Sequence, residues 1–231
     1  MEALAKTARD YGRGGEVCTT ARLNIEIPGI QRTDVPDATA ALSAAGLVLG
    51  STGPSVRSVV SCKGTICRHG CCDTFGLARQ LEEKEGGADL SPRKLKIALA
   101  GCPNNCSRVQ FNDIGFMGGH RFPRFDEEGC NRCGACETVC KENAITIGDD
   151  GLVFSAERCI GCGDCITTCP KDAIGIAEEG LSLFLGGRAG RRIRLGTEVK
   201  GRVAEADAAE LTERIITYFA AHTRDGERLG R

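Results

Sequence analysis

The sequence has no tryptophan and only two tyrosines in 231 residues, and its formal net charge is -1. Few aromatic side chains are therefore available to stack on bases, and no excess of basic residues would attract a phosphate backbone. The longest apolar stretch, residues 40–49, is interrupted by Ser43 and Gly46 and is much shorter than the about 20 residues that cross a bilayer. These absences exclude a membrane span and argue against a nucleic-acid partner.

Cysteine, by contrast, is abundant, with fifteen residues. This density would suit a small secreted protein with disulfides, but residues 1–17 contain no apolar signal-peptide core. We therefore expect a cytoplasmic protein whose thiols stay reduced and are available to bind metal. A chain of this length can bury one sizeable core, or one core and a small satellite domain.

Apolar periodicity predicts strands and helices in alternation. A strand is predicted over residues 17–27, where Leu23 and Ile25 would face the core and Arg22 would face away from it. Further strands are predicted at 56–60 and 94–99. The predicted helices begin after Asp34, with Leu42 and Ala45 buried, after Asp73, with Leu77 and Leu81 buried, and near the C-terminus, with Leu211, Ile215, Ile216 and Phe219 on one side.

Two close pairs of cysteines follow the second and third of these strands. SCKGTICRHG contains Cys62 and Cys67, and GCPNNC contains Cys102 and Cys106. Four thiols in two loops can hold one [4Fe-4S] cluster. Loops carried by a rigid scaffold often hold the functional residues of a protein, so this is the first candidate site.

An internal repeat occupies residues 126–176. GCNRCGACETVCKENAI at 129–145 recurs as RCIGCGDCITTCPKDAI at 158–174, with equivalent cysteines 29 positions apart. Each copy has the CxxCxxCxxxC spacing of bacterial two-cluster ferredoxins. Zinc-binding knuckles are the alternative, although zinc sites rarely use three cysteines in tandem. The repeat predicts two [4Fe-4S] clusters that relay electrons, in a domain inserted into a host domain.

The sequences around these cysteines resemble the sirohaem-dependent sulfite and nitrite reductases. VCTTARLNIEIPGI is similar to that family's TTR-containing strand, PRKLKIALAGCPNNC to its lysine-rich strand and second cysteine pair, and GGRAGRRIRLG with GERLG to its C-terminal segment. The resemblance implies an α+β fold. Its parts would be a ferredoxin-like half-domain at 1–55, a sirohaem and [4Fe-4S] domain at 56–125 and 177–231, and an inserted two-cluster ferredoxin domain at 126–176.

The resemblance also implies ligands for three [4Fe-4S] clusters and a sirohaem. One cluster would be held by Cys62, Cys67, Cys102 and Cys106, with Cys106 bridging to the sirohaem iron. In the repeat, three cysteines of one motif join the fourth of the other, which gives Cys130, Cys133, Cys136 and Cys169 for one cluster and Cys140, Cys159, Cys162 and Cys165 for the second. The family usually has five residues inside the first pair and this chain has four, so Cys71 or Cys72 could substitute; otherwise these two and Cys18 are small buried thiols.

The family's chemistry also accounts for several basic residues. Sirohaem carries many carboxylates and the substrate is an oxyanion, so a site for both needs several Arg and Lys side chains. On the resemblance, Arg22, Lys94 and Lys96 line the anion pocket and take part in catalysis. The candidates for the carboxylates of the macrocycle are Arg57, Lys63, Arg68, Arg188, Arg191 and Arg192. The alternative for each is a solvated surface charge.

Together these features predict a sulfite reductase, or a subunit of one, that reduces sulfite to sulfide by six electrons. Nitrite has the same requirements. A sirohaem-free electron-transfer subunit of a larger redox complex is the main alternative, and a cluster-storage protein is a third. No glycine-rich nucleotide motif follows a strand, so we expect an electron-donor protein as partner. Since the family's single-copy members pair, a homodimer or heteromeric complex is also expected.

Overall fold

The structure is a computed structural model that describes residues 1–119, 121–148, 151–224 and 226–230. The chain divides into two compact units, Met1–Thr52 and Gly53–Arg231. Within the described ranges, no helix has the length and apolar character needed to cross a membrane. All fifteen cysteines lie in these ranges and are free thiols.

The first unit contains two helices and a short hairpin. Its elements are α1 Glu2–Tyr11, β1 Cys18–Thr19, β2 Ile25–Glu26 and α2 Val35–Ala44. The two strands pair antiparallel, and α1 packs against α2. As predicted, α2 begins after Asp34, with a proline in its first turn. Leu42 is half-buried and Ala45 is exposed, so the predicted buried face is wrong at Ala45.

The single strand predicted over residues 17–27 is wrong, because the chain reverses in its middle. Leu23 has a φ of 60° and its N–H donates to the carbonyl of Thr20 at 3.0 Å. The Thr20 hydroxyl also accepts from the N–H of Asn24 at 3.1 Å, and such local bonds compete with an extended ladder. Consequently, Leu23 is 66% exposed and Ile25 is 41% exposed instead of facing a core.

The second unit has nine strands and four helices within the described residues. In chain order they are β3 Val60–Ser61, α3 Thr74–Glu85, β4 Ile97–Ala100, β5 Ile114–Met117, β6 Phe122–Phe125, α4 Ala135–Val139, β7 Ile145–Gly148, β8 Gly151–Phe154, α5 Asp164–Thr168, β9 Ile174–Glu178, β10 Ser182–Leu185, β11 Thr197–Glu198 and α6 Ala208–His222. Short 3-10 turns occur at Gly64–Ile66, Val109–Phe111 and Glu205–Asp207.

Five of these strands form one mixed sheet in the order β11-β10-β5-β4-β3. Strands β3, β4 and β5 are parallel, and β10 is antiparallel to β5. The strand predicted at 56–60 is regular only at its end, because the N–H of Val59 donates to the side chain of Glu82 instead of a neighbouring strand. Since β3 and β4 are parallel neighbours, the loops that follow them leave from the same edge of the sheet.

Strand β4 is buried along its whole length because both faces of the sheet are covered. Ile97 and Leu99 belong to the larger core, together with Leu81 of α3 and Phe219 of α6. Residues 98 and 100, on the other face, pack in a second cluster with Phe184 of β10. The helices predicted after Asp73 and across Leu211–Phe219 are confirmed as α3 and α6, and they provide much of the first core.

The repeat lies in a segment, residues 122–178, that leaves the sheet after β5 and returns at β10. Since β5 and β10 are adjacent antiparallel strands, this segment interrupts no pairing of the sheet. Strand β6 pairs with β9, and β7 pairs with β8, while α4 contacts α5. The segment has its own core around Cys136, Ile145, Cys165 and Ile174.

Candidate functional site

The two loops that carry the first cysteine pairs meet at one edge of the sheet. The N–H of Gly101 donates to Sγ of Cys62 at 3.1 Å, and the N–H of Cys71 donates to the carbonyl of Gly101 at 2.7 Å. A Cβ on Gly64 would lie 2.8 Å from the Cα of Gly101. Glycine is therefore required at both positions for the loops to approach this closely.

The first loop is fixed by the start of α3. Thr74 donates its hydroxyl proton to the carbonyl of Cys62 at 2.8 Å, and Thr65 donates to the carboxylate of Asp73 at 2.6 Å. The Asp73 carboxylate also accepts from the N–H of Gly76, as a helix cap. The hydrogen bonds from Thr65 and Gly76 lower the pKa of Asp73, so the cap stays ionised.

Cys102 is the buried centre of this group of thiols. It is 8% exposed, and burial raises the pKa of its thiol. The charges of Cys62, Cys106 and Cys67 act on the Cys102 thiol in the same direction, so all three thiols lie near it. We call these four residues the two-loop site. Burial disfavours a free, negatively charged thiolate at this position. A thiolate that is bound to iron has its charge neutralised and avoids this cost.

The GCPNNC loop is held in shape by Asn105. This residue has a φ of 51°, a conformation that asparagine tolerates better than most residues. Its side-chain oxygen accepts from the N–H of Val109 at 2.9 Å, and its amide nitrogen bonds the side chain of Gln110. The loop is therefore built to present Cys102 and Cys106, although our sequence reasoning gave Asn105 no role.

The three remaining cysteines lie elsewhere. Sγ of Cys72 faces the carbonyl of Ala100 at 4.0 Å and packs against the larger core, while Sγ of Cys71 faces the carbonyl of Cys162 at 3.7 Å. Burial raises the pKa of Cys71 to about 11 and that of Cys72 to about 12. Cys18 is exposed on β1, so the prediction of a small buried thiol is wrong there.

The eight cysteines of the repeat line two separate cavities. The first is lined by Cys130, Cys133, Cys136 and Cys169, and the second by Cys140, Cys159, Cys162 and Cys165. We call them the first and second repeat sites. Each combines three cysteines of one motif with the fourth of the other, which is the grouping that the ferredoxin resemblance implied. Among the described residues, no three or more His, Cys, Asp or Glu side chains are arranged around a single metal ion.

Backbone geometry repeats along with the cysteines. Gly134 and Gly163 both have a φ of 76° and begin α4 and α5. Backbone N–H groups point at thiol sulfurs in both repeat sites. Arg132 donates to Cys130 at 3.4 Å in the first, and in the second Ala144 donates to Cys140 at 3.3 Å and Gly161 to Cys159 at 3.4 Å. Such hydrogen bonds stabilise thiolate ligands and tune the potential of an iron–sulfur cluster. The residues of both repeat sites therefore fit a cluster.

The predicted anion-binding lysines lie at the opposite edge of the sheet from the two-loop site. Lys96 precedes β4 whereas Cys102 follows it, and the stretch from Lys96 to Gly101 covers about 16 Å at about 3.3 Å per residue. This distance is longer than a lysine side chain. Lys96 is half-buried and Lys94 is exposed. One chain therefore does not bring these lysines to its own cysteine loops.

The remaining candidate cations divide between the two edges. Lys63 and Arg68 are exposed in the first cysteine loop. Arg57 lies at the edge that carries Lys94 and Lys96, which we call the lysine edge. Its backbone N–H donates to the carbonyl of Leu95. The arginine loop, residues 186–196, follows β10 at that same edge and carries Arg188, Arg191, Arg192 and Arg194. Arg22 lies in the first unit, half-buried beside the turn of the hairpin.

Arg188 is half-buried on this loop. Its Nε is buried and has no hydrogen-bond partner within the described ranges, as is also the case for Nε of Arg93 and of Arg202. Arg191 and Arg192 are exposed on the same loop. The loop is seated on residues 110–113, because Gly186 donates to the carbonyl of Asp113 at 2.8 Å and Gly196 to that of Gln110 at 2.7 Å.

A buried ion pair supports the lysine edge, and our sequence reasoning missed it. Asp113 is fully buried, accepts from the N–H of Lys96 at 2.8 Å and accepts from Nε of Arg228 at 3.0 Å. Burial raises the pKa of Asp113, an effect that the hydrogen bond from Arg228 opposes. The signal was present in the C-terminal GERLG motif, which contains Arg228 but to which no single role was given.

Comparison with known proteins identifies the family. Residues 52–231 match the nitrite and sulphite reductase 4Fe-4S domain, and residues 1–45 match the nitrite/sulfite reductase ferredoxin-like half domain. The chain belongs to the nitrite and sulfite reductase family. The α+β fold implied by the resemblance is thereby confirmed.

Individual relatives in the family are sulfite and nitrite reductases. The chain is 42% identical over 150 residues to the coenzyme F420-dependent sulfite reductase of Methanocaldococcus jannaschii, a match that covers 64% of this chain and 23% of that protein. It is 31% identical over 165 residues to one of the subunits of the anaerobic sulfite reductase of Salmonella typhimurium, covering 62% and 46%. The chain therefore spans between a quarter and a half of these relatives.

A solved structure shares the reductase fold. The crystal structure of dissimilatory sulfite reductase I matches with a TM-score of 0.77 over 99% of this chain and 61% of that one, at 22% identity. At this identity the match shows the fold alone. It spans both units and the 122–178 segment of the present chain.

Proposed function

We propose that this chain is the catalytic part of a sirohaem-dependent sulfite reductase, which reduces sulfite to sulfide by six electrons. The observation that carries the proposal is the two-loop site: the thiols of Cys62, Cys67 and Cys106 lie near buried Cys102 at one edge of the sheet, in a chain of the nitrite and sulfite reductase family. The named relatives described above are sulfite reductases. Nitrite is the second substrate to test, because the family includes nitrite reductases.

Three groups of thiols would hold three [4Fe-4S] clusters, one in the two-loop site and one in each repeat site. Sirohaem, when bound, supplies the iron at which sulfite is reduced and is coupled to the adjacent cluster. Cys106, the exposed cysteine of the two-loop site, is the thiol best placed to reach it. The repeat segment would act as a two-cluster ferredoxin that receives electrons from a donor protein in the cytoplasm.

The cations would recognise the anionic groups. Arg188, on the arginine loop at the lysine edge, would pair with a sirohaem carboxylate through its guanidinium group. The other proposed carboxylate ligands are Arg57, Lys63, Arg68, Arg191 and Arg192. Lys94, Lys96 and Arg22 would stabilise the sulfite oxygens, and the lysines would donate the protons that leave as water.

Because the lysines and the two-loop site lie at opposite sheet edges, the proposed pocket needs two copies. We propose that the lysine edge of one copy meets the cysteine edge of its partner, so that each pocket is shared. This pairing places Lys96 of one chain opposite Cys106 of another. It also explains how a chain that spans about a quarter to a half of its relatives could form a complete site.

The first test is the cofactor content of protein purified without oxygen from a host that makes sirohaem. We expect about twelve iron atoms per chain for three clusters, and one more for each sirohaem. A tetrapyrrole spectrum that shifts with sulfite supports the proposal, and nitrite is titrated alongside it. Clusters without tetrapyrrole would overturn it in favour of an electron-transfer subunit, the function favoured by the four-residue spacing between Cys62 and Cys67.

The second test is complementation between two inactive variants. Lys94→Ala with Lys96→Ala removes the lysine edge, and Cys106→Ala removes the bridging thiol. If pockets are shared, a mixed dimer contains one pocket with neither change, so mixing should restore sulfite turnover. The control is Lys84→Ala, an exposed lysine on α3 that should leave turnover unchanged. No recovery from demonstrably mixed dimers would contradict the shared pocket.

A further inference from the structure

The second repeat site lies against the two-loop site. Its cavity is lined by four repeat cysteines and also by Cys102, Pro103 and Asn104 of the GCPNNC loop. In contrast, every residue that lines the first repeat site belongs to the 122–178 segment. The two repeat sites are therefore not equivalent in their position relative to the reductase part.

Cys71 is the residue that joins the two neighbouring sites. Its Sγ faces the carbonyl of Cys162 at 3.7 Å, on the second repeat site. Its N–H donates to the carbonyl of Gly101 at 2.7 Å, next to Cys102 of the two-loop site. Cys71 thus lies between Cys162 and Cys102: its N–H is hydrogen-bonded next to Cys102, and its Sγ lies near the carbonyls of both Cys162 and His69, at 3.7 Å and 3.5 Å. Cys71 is not among the proposed ligands.

Further contacts hold the second repeat site against the GCPNNC loop. The N–H of Arg121 donates to the carbonyl of Gly161 at 2.9 Å, and the Arg121 side chain pairs with Glu179 at 3.2 Å. Gly119 packs against Pro103, where an added Cβ would lie 3.0 Å from the proline ring. The loop of the second repeat site is therefore hydrogen-bonded to the residues just before β6, and these residues also pack against the GCPNNC loop.

The repeat sites are connected to each other through buried thiols. Cys136 of the first and Cys165 of the second are each 8% exposed and belong to one apolar cluster. The apolar cluster excludes water between these two thiols, whereas Cys71 is half-buried. The molecule therefore offers a linear order of sites: first repeat site, second repeat site, Cys71, two-loop site.

We infer that Cys71 is a positioning residue that couples the second repeat site to the two-loop site, and that electrons pass in the order first repeat, second repeat, two-loop site. The inference rests on the proposed function in requiring clusters at these sites. In the step across Cys71, one electron leaves the cluster of the second repeat site, which is oxidised, and enters that of the two-loop site, which is reduced. No bond is made or broken. The electron comes initially from an external one-electron donor.

The test follows single electrons in the full, cluster-loaded chain. A photochemically generated one-electron donor reduces the protein in a pulse, and freeze-quench electron paramagnetic resonance follows arrival at each site. In Cys71→Ala we expect several-fold slower arrival at the two-loop site, with unchanged midpoint potentials and unchanged reduction of the repeat sites. The matched control is Cys72→Ala, because this neighbouring thiol faces the carbonyl of Ala100 and the core instead. Wild-type kinetics in Cys71→Ala would overturn the coupling role.

A second measurement does not depend on the Cys71 variant folding. When both clusters are reduced, the spectrum of the two-loop site should show magnetic broadening from its neighbour. Cys133→Ala removes an exposed ligand of the first repeat site and should leave that broadening intact. Loss of the broadening would show that the first repeat site is the neighbour and would overturn the order. Both readouts work without sirohaem or sulfite, so they can fail while the proposed reductase activity holds, and the reverse.

Discussion

The ion pair between Asp113 and Arg228 should be among the most important single interactions for stability. Asp113 is fully buried and the Arg228 side chain is 16% exposed, so solvent screens the pair only slightly. In Arg228→Ala the carboxylate loses this charged partner and keeps the N–H of Lys96 as a donor. Breaking a buried pair in this way costs about 3–5 kcal/mol, a large part of the about 5–15 kcal/mol that stabilises a domain.

The pH dependence of this loss has a defined sign. Burial already raises the pKa of Asp113, and Arg228 opposes that rise. An acid whose pKa is raised on folding binds more protons in the folded state, so its contribution to stability is present at low pH and is lost as pH rises through the folded pKa. Without Arg228 the pKa rises further. The destabilisation of Arg228→Ala should therefore be greatest near neutral pH and should shrink as the pH falls.

The assay is urea unfolding without oxygen, followed by circular dichroism at several pH values. Replacing both partners, as in Asp113→Asn with Arg228→Met, should recover part of the lost free energy, because no charge is then left buried. Lys84→Ala is the control, since its exposed pair with Glu213 at 3.9 Å should contribute nothing measurable. A cost below about 1 kcal/mol for Arg228→Ala, or a cost that grows as the pH falls, would refute the reasoning.

Three further outcomes are expected. Leu81→Ala should lower the free energy of unfolding by about 2–5 kcal/mol in the same assay, because Leu81 is fully buried. Gly101→Ala should lose the iron of the two-loop site while the repeat sites keep theirs, as measured by iron content and magnetic resonance, since the added Cβ would lie 2.6 Å from the Cα of Gly64. Iodoacetamide near neutral pH should alkylate exposed Cys18 well before Cys72, whose pKa of about 12 keeps its thiol protonated. Mass spectrometry of timed samples measures the order, and alkylation of Cys72 first would contradict this expectation.

The elements that could be predicted were those with strong local patterns. The Asp73 cap and the apolar residues after it defined α3, and the alternation before GCPNNC defined β4. The hairpin around Leu23 was missed because its residues alternate as a strand does, while a positive φ and the Thr20 hydroxyl reverse the chain. Alternation in β4 also concealed that both of its faces are buried, since that depends on what packs above and below the sheet.

For the site, the sequence placed both cysteine pairs just beyond predicted strands, and the resemblance to two-cluster ferredoxins implied the grouping of the repeat cysteines. Asp113 and Arg228 could not be paired in advance, because 115 positions separate them and the GERLG motif that contains Arg228 does not indicate its partner. The position of Cys71 against Cys162 depends on how the 122–178 segment folds back onto the sheet edge. Contacts of this kind require the three-dimensional arrangement and have no signature in local sequence.

The separation of Lys96 from Cys102, however, was already present in the order of the residues. A strand has two ends, and the same alternation that assigned the lysines to a face also placed β4 between them and the GCPNNC loop. Two groups of side chains do not form one site if they lie at opposite ends of the same strand, even when they share a face of the sheet. The two edges of this sheet thus carry complementary halves: the thiols of the two-loop site with Lys63 and Arg68 at one, and Lys94, Lys96 and the arginine loop at the other. Under the proposed pairing, two identical copies in opposite orientation bring each half to its complement, which a single copy cannot do for itself.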